Sequence, residues 1–278
     1  MNNLIDITKR LRTLILESTS KAGSGHPTSC LSAVELLTVL LFDSNFTDKD
    51  HLIFSKGHAA PLLYALYVEK KKITREEIMT LRQFGSRLEG HPTPKFPFSV
   101  GATGSLGQGL GIGMGMALYD QYVVKNNHQT YVLLGDGELT EGSNWETINL
   151  ADHYKLDNLT AIVDVNRLEQ DGQTPTGWDL FSYKAKFDSF GWQTILIDNG
   201  HDINSIKSGF ETKKQHKPRV IIAKTIKGKG VSFLEDKPNW HGKALNKEQL
   251  SKALKEFGQT NTESSDILLK LTKLYKNE

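Results

Sequence analysis

Two polar residues that directly follow apolar runs carry the strongest chemical signal in this sequence. Asp136 lies between two glycines after the apolar residues 131–134, and Asn166 follows the apolar run 160–164. Mg²⁺ prefers oxygen ligands, takes one or two from protein, and completes its shell with phosphate oxygens and water. The glycines let the backbone approach a phosphate that a Cβ would obstruct. This pairing predicts a magnesium-diphosphate site; the alternative is that Gly-Asp-Gly is only a turn.

Four histidines occur in similar loop settings, each beside a glycine. Imidazoles transfer protons near neutral pH and donate hydrogen bonds to phosphates or sugar hydroxyls. Each alone could be structural, but four alike favour a shared site; they are His26, His58, His91 and His241. A zinc cluster is the competing interpretation, and it fails on spacing, because no two histidines lie three to five residues apart and there is one cysteine. His201 precedes Asp202, which is typical of a helix N-cap, so we predict a structural role for it.

The glycine-rich segment 101–117 does not match the dinucleotide-binding fingerprint in register. Gly107, Gly111 and Gly115 would share one face of a predicted helix. Each glycine costs a helix about 1 kcal/mol relative to alanine. Close approach of a cofactor or a partner helix would explain this bare backbone; a flexible loop is the alternative.

Strand-like and helical segments alternate along the second half of the chain. This alternation predicts an α/β fold with a central, mostly parallel sheet and helices on both faces. The predicted strands are 131–134, 159–165, 193–197 and 219–224, with 51–54 as a further short candidate. The predicted helices are 1–20, 32–42, 60–71, 75–84, 105–122, 143–154, 203–216, 247–257 and 266–275. Ligands of such sheets bind at the carboxyl ends of the strands, where Asp136 and Asn166 fall.

Composition narrows the class of protein. A chain of 278 residues can bury a full core, and its 34 basic and 32 acidic residues give a net charge of +2. Neither nucleic acid nor a membrane is therefore an expected partner. One cysteine, Cys30, excludes an internal disulfide and is expected to be simply packed. Without a predicted signal peptide or membrane span, we expect a cytoplasmic protein, with one domain over 1–258 and a polar spacer and helix over 259–278.

Together these residues resemble the thiamine diphosphate enzymes of the transketolase family, specifically the amino-terminal, diphosphate-binding half. The resemblance spans about residues 21–243. Its motifs are 24–27 (Ser-Gly-His-Pro), 56–59 (Lys-Gly-His-Ala), 90–92 (Gly-His-Pro), 103–109, 135–142, 166–168 (Asn-Arg-Leu), 224–228 and 240–243 (Trp-His-Gly-Lys). One departure is Val165, where the family often has a second asparagine; that position is not a metal ligand.

The resemblance implies a role for each matching residue. Mg²⁺ would be held by Asp136, Asn166 and the backbone carbonyl of Leu168. Thiamine diphosphate would be bound by His58, Gly104, Ser105, Leu106, Gly137, Glu138, Asn166, Lys227 and His241. Among these, the loop 104–106 would contact the aminopyrimidine. His26, His91 and His241 would be catalytic, lining the channel for the sugar and assisting proton transfers. Glu141 would join two sites across a subunit interface.

The resemblance also implies a partner. A full-length transketolase has a second domain that supplies the activating glutamate, an aromatic pocket for the aminopyrimidine and most contacts to the sugar phosphate. The expectation is therefore one chain of a split transketolase, active in an α₂β₂ assembly with a separate carboxy-terminal subunit. It would transfer a two-carbon ketol unit from a ketose phosphate to an aldose phosphate.

Two other functions stay open at this point. The α subunit of a 2-oxo acid dehydrogenase also carries Gly-Asp-Gly and an asparagine. The histidine series argues against it, because a decarboxylating enzyme has less need of groups that handle sugar hydroxyls. The other alternative is a non-catalytic module that binds the cofactor.

Overall fold

The centre of the protein is a five-stranded, fully parallel β-sheet. The computed structural model describes residues 2–258. Its strands are β1 (His51–Phe54), β2 (Thr130–Gly135), β3 (Leu159–Val165), β4 (Gln193–Ile197) and β5 (Arg219–Lys224). Their order in the sheet is β1-β2-β3-β5-β4, and every neighbouring pair runs parallel. The predicted sheet is confirmed, including the short strand at residues 51–54.

Ten α-helices connect and cover the strands within the described residues. They are α1 (Asn2–Ala22), α2 (Pro27–Leu31), α3 (Val34–Asp43), α4 (Ala60–Glu69), α5 (Arg75–Ile78), α6 (Gly109–Leu118), α7 (Gly142–His153), α8 (Leu180–Ser189), α9 (Ile203–Glu211) and α10 (Lys247–Glu256). Single 3₁₀ turns occupy Gly57–Ala59 and Gly137–Thr140, and α6 continues into a π-helix at Tyr119–Val124.

Side chains alternate across the sheet and divide the core into two layers. Tyr131 and Leu133 of β2 pack into the cluster that contains α1, α3, α4 and α9. Val132 and Leu134 of the same strand pack into the cluster that contains α6, α7 and α8. Because successive residues of a strand point to opposite faces, a strand buried on both faces reads as a continuous apolar run. The predicted α/β architecture with helices on both faces is therefore confirmed.

Three helix boundaries differ from the sequence prediction. Helix α5 ends at Ile78, well before the predicted residue 84, and Arg82 beyond it has a φ of +60°. Helix α6 begins at Gly109 and leaves Gly107 outside, since Gly107 has a φ of +81°. Helix α9 ends at Glu211, earlier than the predicted residue 216. A left-handed residue cannot continue a right-handed helix, and Thr212 after α9 leaves the helical region with a ψ of 128°; sequence periodicity reveals neither feature.

Two helices are absent from the sequence prediction, the five-residue α2 and the ten-residue α8. Helix α8 carries a local signal, because Asp179 caps it by accepting a hydrogen bond from the Ser182 amide at 3.1 Å. Its buried side chains include Tyr183 and Phe187, four residues apart on one face. These aromatic residues lack the Val, Leu and Ile periodicity that marks the other helices.

The structure covers only part of the region for which the carboxy-terminal prediction was made. Helix α10 begins with a capping box between Asn246 and Gln249, in agreement with its predicted start near residue 247. The predicted spacer and helix at 259–278 lie outside the described residues, so the domain boundary at 258 stays a prediction. Among residues 2–258, no helix is both long and apolar enough to cross a membrane. Cys30 is fully buried, and burial raises the pKa of its thiol to about 12.

Candidate active site

The predicted metal-binding residues meet at the carboxyl ends of two neighbouring strands. Asp136 follows β2 and Asn166 follows β3, and the strands end almost level because Gly135 pairs with Asp164. The Asp136 Oδ2 atom accepts a hydrogen bond of 2.7 Å from the backbone amide of Arg167, which ties the two loops together. Asp136 and Asn166 line one cavity of about 220 Å³.

Three oxygen atoms at this cavity suit a divalent cation. The Asp136 carboxylate is 5% exposed and makes no ion pair within residues 2–258. Burial, reinforced by the nearby Asp164, raises the pKa of Asp136 to about 6. Asn166 and Leu168 contribute an amide oxygen and a backbone carbonyl at the same wall. A desolvated carboxylate beside two neutral oxygens fits a magnesium ion, although these roles stay predictions.

A lysine lies beside these oxygens and makes this part of the cavity wall cationic. The Lys227 Nζ atom lies 2.8 Å from both the Leu168 carbonyl oxygen and the His241 Nδ1 atom. Burial, with the nearby Lys56, lowers the pKa of Lys227 to about 8. A desolvated lysine is a fitting partner for an anion such as a diphosphate.

The four histidines beside glycines form a cluster. Ring centroids of His26 lie 5.0 Å from His241, 5.1 Å from His58 and 6.5 Å from His91. Burial lowers the pKa of His26 to about 4 and that of His241 to about 3, and it lowers the pKa values of His58 and His91 as well. At neutral pH each ring is therefore uncharged, with one donor and one acceptor nitrogen.

One atom of this cluster lacks a partner. The Nδ1 atom of His26 is buried and has no hydrogen-bond partner among the described residues. The Oγ atom of Ser29, on the wall of the cavity, is in the same state. Because buried polar atoms are almost always paired, two orphans at one site indicate that a ligand completes it.

The loop 104–106, predicted to contact the aminopyrimidine, follows a tightly packed residue, Thr103, and is itself partly exposed. A Cβ on Gly57 would lie 2.0 Å from the Thr103 carbonyl oxygen, so only glycine permits this approach. Gly104 and Ser105 are exposed, whereas Leu106 reaches the cavity. Gly104 lies beside His91, since a Cβ there would be 3.5 Å from its ring.

Glu138 has a supporting position beneath this loop. One carboxylate oxygen accepts from the Ser55 hydroxyl and from the Gly107 amide at 2.9 Å, and the other accepts from the Gly135 amide at 3.1 Å. Although burial raises its pKa, these donors oppose the shift. Its carboxylate holds the ends of two strands and the glycine loop together, while its predicted cofactor contact stays untested. Glu141 is exposed at the start of α7.

Sequence reasoning missed a buried ion pair between Lys56, which lines the cavity, and Asp164 behind it. The Lys56 Nζ atom contacts the Asp164 Oδ2 atom at 2.6 Å, and the two side chains are 2% and 0% exposed. Burial alone would raise the pKa of Asp164, but Lys56 and hydroxyl donors, including Ser32, hold it below its ordinary value. A charged residue inside the apolar strand β3 was the available signal.

His201 has the structural role that its sequence context predicted. Its Nδ1 atom lies 2.9 Å from the Glu35 carboxylate, and its Nε2 atom accepts from the Ile226 amide at 2.8 Å. Both ring nitrogens are therefore used inside the protein, and His201 connects α3 to the segment after β5. Asp202 caps α9 as predicted, accepting from the Ser205 amide.

The family follows from a comparison with known domains. A family model described as "Transketolase, thiamine diphosphate binding domain" matches residues 5–278. The chain belongs to this family. Thiamine diphosphate is thus the cofactor that its domain family binds, in agreement with the cavity, the cationic wall and the orphan polar atoms. The thiamine diphosphate-binding α/β fold is also confirmed.

Relatives of two lengths match this transketolase-family chain. Transketolase from Homo sapiens is 45% identical over 262 residues, covering 91% of this chain but 42% of that protein. The crystal structure of transketolase from Campylobacter jejuni superposes with a TM-score of 0.85 at 34% identity, covering 93% of this chain and 43% of that one. The chain therefore spans less than half the length of these relatives.

A shorter relative matches the chain over most of the length of both proteins. It is one of the subunits of the apulose-4-phosphate transketolase from Phocaeicola vulgatus, and it is 38% identical over 262 residues. The match covers 91% of this chain and 92% of that subunit. A transketolase divided between polypeptides thus contains a chain of nearly this length.

Proposed function

We propose that this chain is the amino-terminal subunit of a thiamine diphosphate-dependent transketolase. In this proposal it transfers a two-carbon ketol group from a ketose phosphate to an aldose phosphate and requires a separate carboxy-terminal subunit. The observation that carries the proposal is the convergence, around one cavity, of an oxygen-ligand set, two lysines and two neutral histidines, His58 and His241, with His26 and His91 packed beside them. Such a cavity matches a magnesium-diphosphate head next to a sugar channel.

The cofactor is assigned to the residues that surround the cavity. Asp136, Asn166 and the Leu168 carbonyl are the proposed magnesium ligands. Lys227, His58 and His241 are the proposed diphosphate contacts, together with the backbone at Gly137. Bound thiamine diphosphate would supply the nucleophilic carbon and the electron sink that breaking a bond beside a ketose carbonyl requires. The protein's part is to bind the cofactor, orient it and keep the site dry.

The proposed proton carriers are His26, His91 and His241. A neutral imidazole can take a proton from a sugar hydroxyl on one nitrogen and donate a hydrogen bond from the other. Desolvation keeps the histidines of this cluster neutral, so neither His26 nor His241 is blocked by a bound proton at neutral pH. His26 packs against His58 and His241, which line the cavity, and its buried Nδ1 has no hydrogen-bond partner among the described residues.

An exposed apolar surface supports the requirement for a partner. The π-helix after α6 exposes Tyr119 by 57%, Tyr122 by 51% and Val123 by 67%. Gly115, one turn earlier, has no atom within 4 Å of where a Cβ would lie, so its bare backbone has no internal explanation. Adjacent exposed aromatic groups mark interaction sites. The relation to a transketolase subunit of nearly equal length supports a separate polypeptide as the occupant.

Cofactor binding provides the first test. Calorimetry with thiamine diphosphate and Mg²⁺, with the partner subunit present, should show magnesium-dependent uptake that Asp136→Ala abolishes. Asp198→Ala is the matched control, because Asp198 also directly follows a strand, β4, but is exposed outside the cavity. Tight, magnesium-dependent binding by Asp136→Ala would refute the metal assignment. No uptake by the unsubstituted protein would indicate a module that does not bind the cofactor.

Turnover provides the second test. The chain is mixed with the protein encoded next to it, with cofactor and Mg²⁺, and is offered ketose phosphate donors and aldose phosphate acceptors. His26→Ala should leave cofactor uptake intact and lower kcat by about 10²–10⁴, the usual contribution of proton transfer. His216→Ala removes a histidine whose side chain is 94% exposed and lies away from the cavity, and it should not change kcat. An unchanged rate in His26→Ala would remove that residue from the proton-transfer step.

A further inference from the structure

Three potential metal ligands converge at the end of the sheet opposite the candidate active site. His51 is the first residue of β1, Asp120 lies in the π-helix, and His128 lies just before β2. One ligand atom from each lies within 4.8 Å of the other two. The candidate active site lies at the carboxyl ends of the strands, whereas this cluster lies at the amino ends of β1 and β2.

The cluster contains more than an ion pair. The His51 Nε2 atom contacts the Asp120 Oδ2 atom at 2.8 Å. The His128 Nδ1 atom lies 3.8 Å from Asp120 Oδ1, which is too long for a hydrogen bond. That oxygen already accepts from the Asn126 side-chain amide at 2.8 Å. His128 is thus directed towards a carboxylate to which it makes no hydrogen bond.

Asn126 holds the cluster from behind. Its Nδ2 atom orients the Asp120 carboxylate, while its Oδ1 atom accepts from the His128 backbone amide at 2.9 Å. The backbone amide of Asn126 in turn donates a hydrogen bond to the backbone carbonyl of Asp120 at 3.1 Å. Support of this kind, which orients ligands through hydrogen bonds to groups that do not touch the metal, is a regular part of metal sites. The π-helix that carries Asp120 is itself rare and occurs frequently at functional sites.

We propose that His51, Asp120 and His128 form a metal site for Zn²⁺ or a similar borderline divalent cation. Two imidazoles and one carboxylate suit zinc, which binds such groups at about 2.0–2.2 Å and takes water as a fourth ligand. Asp120 is buried, whereas the His51 and His128 side chains are 25% and 34% exposed, which leaves a path for the ion and a water. Closing the site requires the His128 ring to move closer to Asp120.

The bound ion would link Asp120 of the π-helix to His51 of strand β1. Strand β1 is an edge strand, and the π-helix carries Tyr119 and Tyr122, which are exposed. A metal that binds only the folded protein raises its stability in proportion to the logarithm of its free concentration. The site is independent of the proposed catalytic function, because no ligand belongs to the cavity at the opposite end.

The test uses the full chain after removal of metals with a chelator. Titration with Co²⁺, followed by visible absorption, and with Zn²⁺, followed by calorimetry, should show one site that persists in excess Mg²⁺. His128→Ala should lower the affinity for both metals by at least about tenfold, and Asn126→Ala should lower it by about tenfold. Zn²⁺ should raise the Tm of the unsubstituted protein but not that of His128→Ala. Turnover with the partner should be unchanged in His128→Ala.

Two controls separate this cluster from other histidines. His216→Ala removes an exposed histidine that contacts Asp157 at 3.1 Å without a third ligand, so its metal affinity should be unchanged. His241→Ala removes a member of the active-site cluster and should also leave this affinity unchanged. No binding of Co²⁺ or Zn²⁺ at micromolar concentration would overturn the proposal. Equal affinity in His128→Ala, or loss of binding in His241→Ala alone, would overturn it as well.

Discussion

The candidate active site contains two groups of buried charged residues, and they differ in whether the charges are paired inside the protein. In one group, Lys56 at the cavity and Asp164 behind it contact each other at 2.6 Å, and hydroxyl groups donate further hydrogen bonds to Asp164. On the cavity wall, Asp136 has no ion pair within residues 2–258, and the pKa values of Asp136 and Lys227 are displaced in the direction that removes charge.

The difference separates the support of the site from its binding surface. A buried charge satisfied inside the protein stabilises the fold only while its partner remains. A buried charge left without a partner disfavours the fold, and it persists where a ligand later compensates it. Asp164 is therefore a positioning residue, and Lys56, which also lines the cavity, is held in place by it, whereas Asp136 and Lys227 face the proposed ligand without an ion-pair partner.

The largest effect expected is from Lys56→Met. It removes the cation and leaves Asp164 charged and fully buried, which should lower the free energy of unfolding by about 3–5 kcal/mol. Urea denaturation measures this change. The control is Lys229→Met, which breaks an ion pair to Glu235 whose side chains are 32% and 33% exposed; a change of about 1 kcal/mol or less is expected there. Equal losses in both variants would contradict the comparison.

Asp136→Asn should raise the free energy of unfolding, measured on protein freed of metal by a chelator. Because burial raises the pKa of Asp136 from 3.8 to about 6, its folded state holds the proton more tightly than the unfolded state. The contribution of this proton to folding stability is fully present below about pH 4 and is lost as the pH rises to about 6 and above. At pH 7 the variant should be more stable by up to about 3 kcal/mol. Thermal unfolding across this pH range measures the effect, and identical profiles would refute it.

Glu138→Gln should cause a smaller loss, of about 2 kcal/mol. One carboxylate oxygen becomes an amide group that cannot accept from Ser55 and Gly107, or from Gly135. The loop before α6 should also exchange its amide hydrogens faster, which mass spectrometry detects. Glu141→Gln, at an exposed carboxylate three residues further on, is the control and should change neither quantity. Unchanged exchange in Glu138→Gln would show that the carboxylate does not hold the loop.

The last prediction concerns protonation of the histidine cluster and requires no substitution. In NMR titrations, His26 should remain neutral down to about pH 4 and His241 down to about pH 3. Because these pKa values lie below the unfolded value of about 6.5, the associated stability is present above pH 6.5 and is lost as the pH falls towards 4. The same chain unfolded in urea provides the reference. A resonance of either residue titrating above pH 6 would show that the cluster is not desolvated.

Much of the fold could be predicted because apolar runs determine it locally. Strands β3, β4 and β5 have the bounds that the sequence predicts, and the centres of β3 and β5 are apolar runs buried on both faces. Helix α8 escaped because aromatic spacing carries its signal, and α5 was overextended because the left-handed Arg82 leaves no periodic trace.

The site could be predicted only where short motifs mark it. Asp136, Asn166 and the histidines beside glycines were found because glycines and loop ends accompany them. Lys56 was visible within its motif, yet its role was not, because the role depends on Asp164, more than a hundred residues away. Glu138 was assigned to the cofactor, but its carboxylate has three internal donors that only the tertiary structure reveals.

Sequence alone determined where along the chain the chemistry lies: which apolar runs end in a carboxylate, an amide or a Gly-His pair, and therefore which family the chain resembles. Tertiary structure decided which of those groups are paired and which are left for a ligand. It also brought His51, Asp120 and His128 together, although no spacing in the sequence indicated a metal site. The physical reason is that desolvation and pairing depend on neighbours distant in the chain, whereas apolar periodicity and glycine turns are properties of adjacent residues.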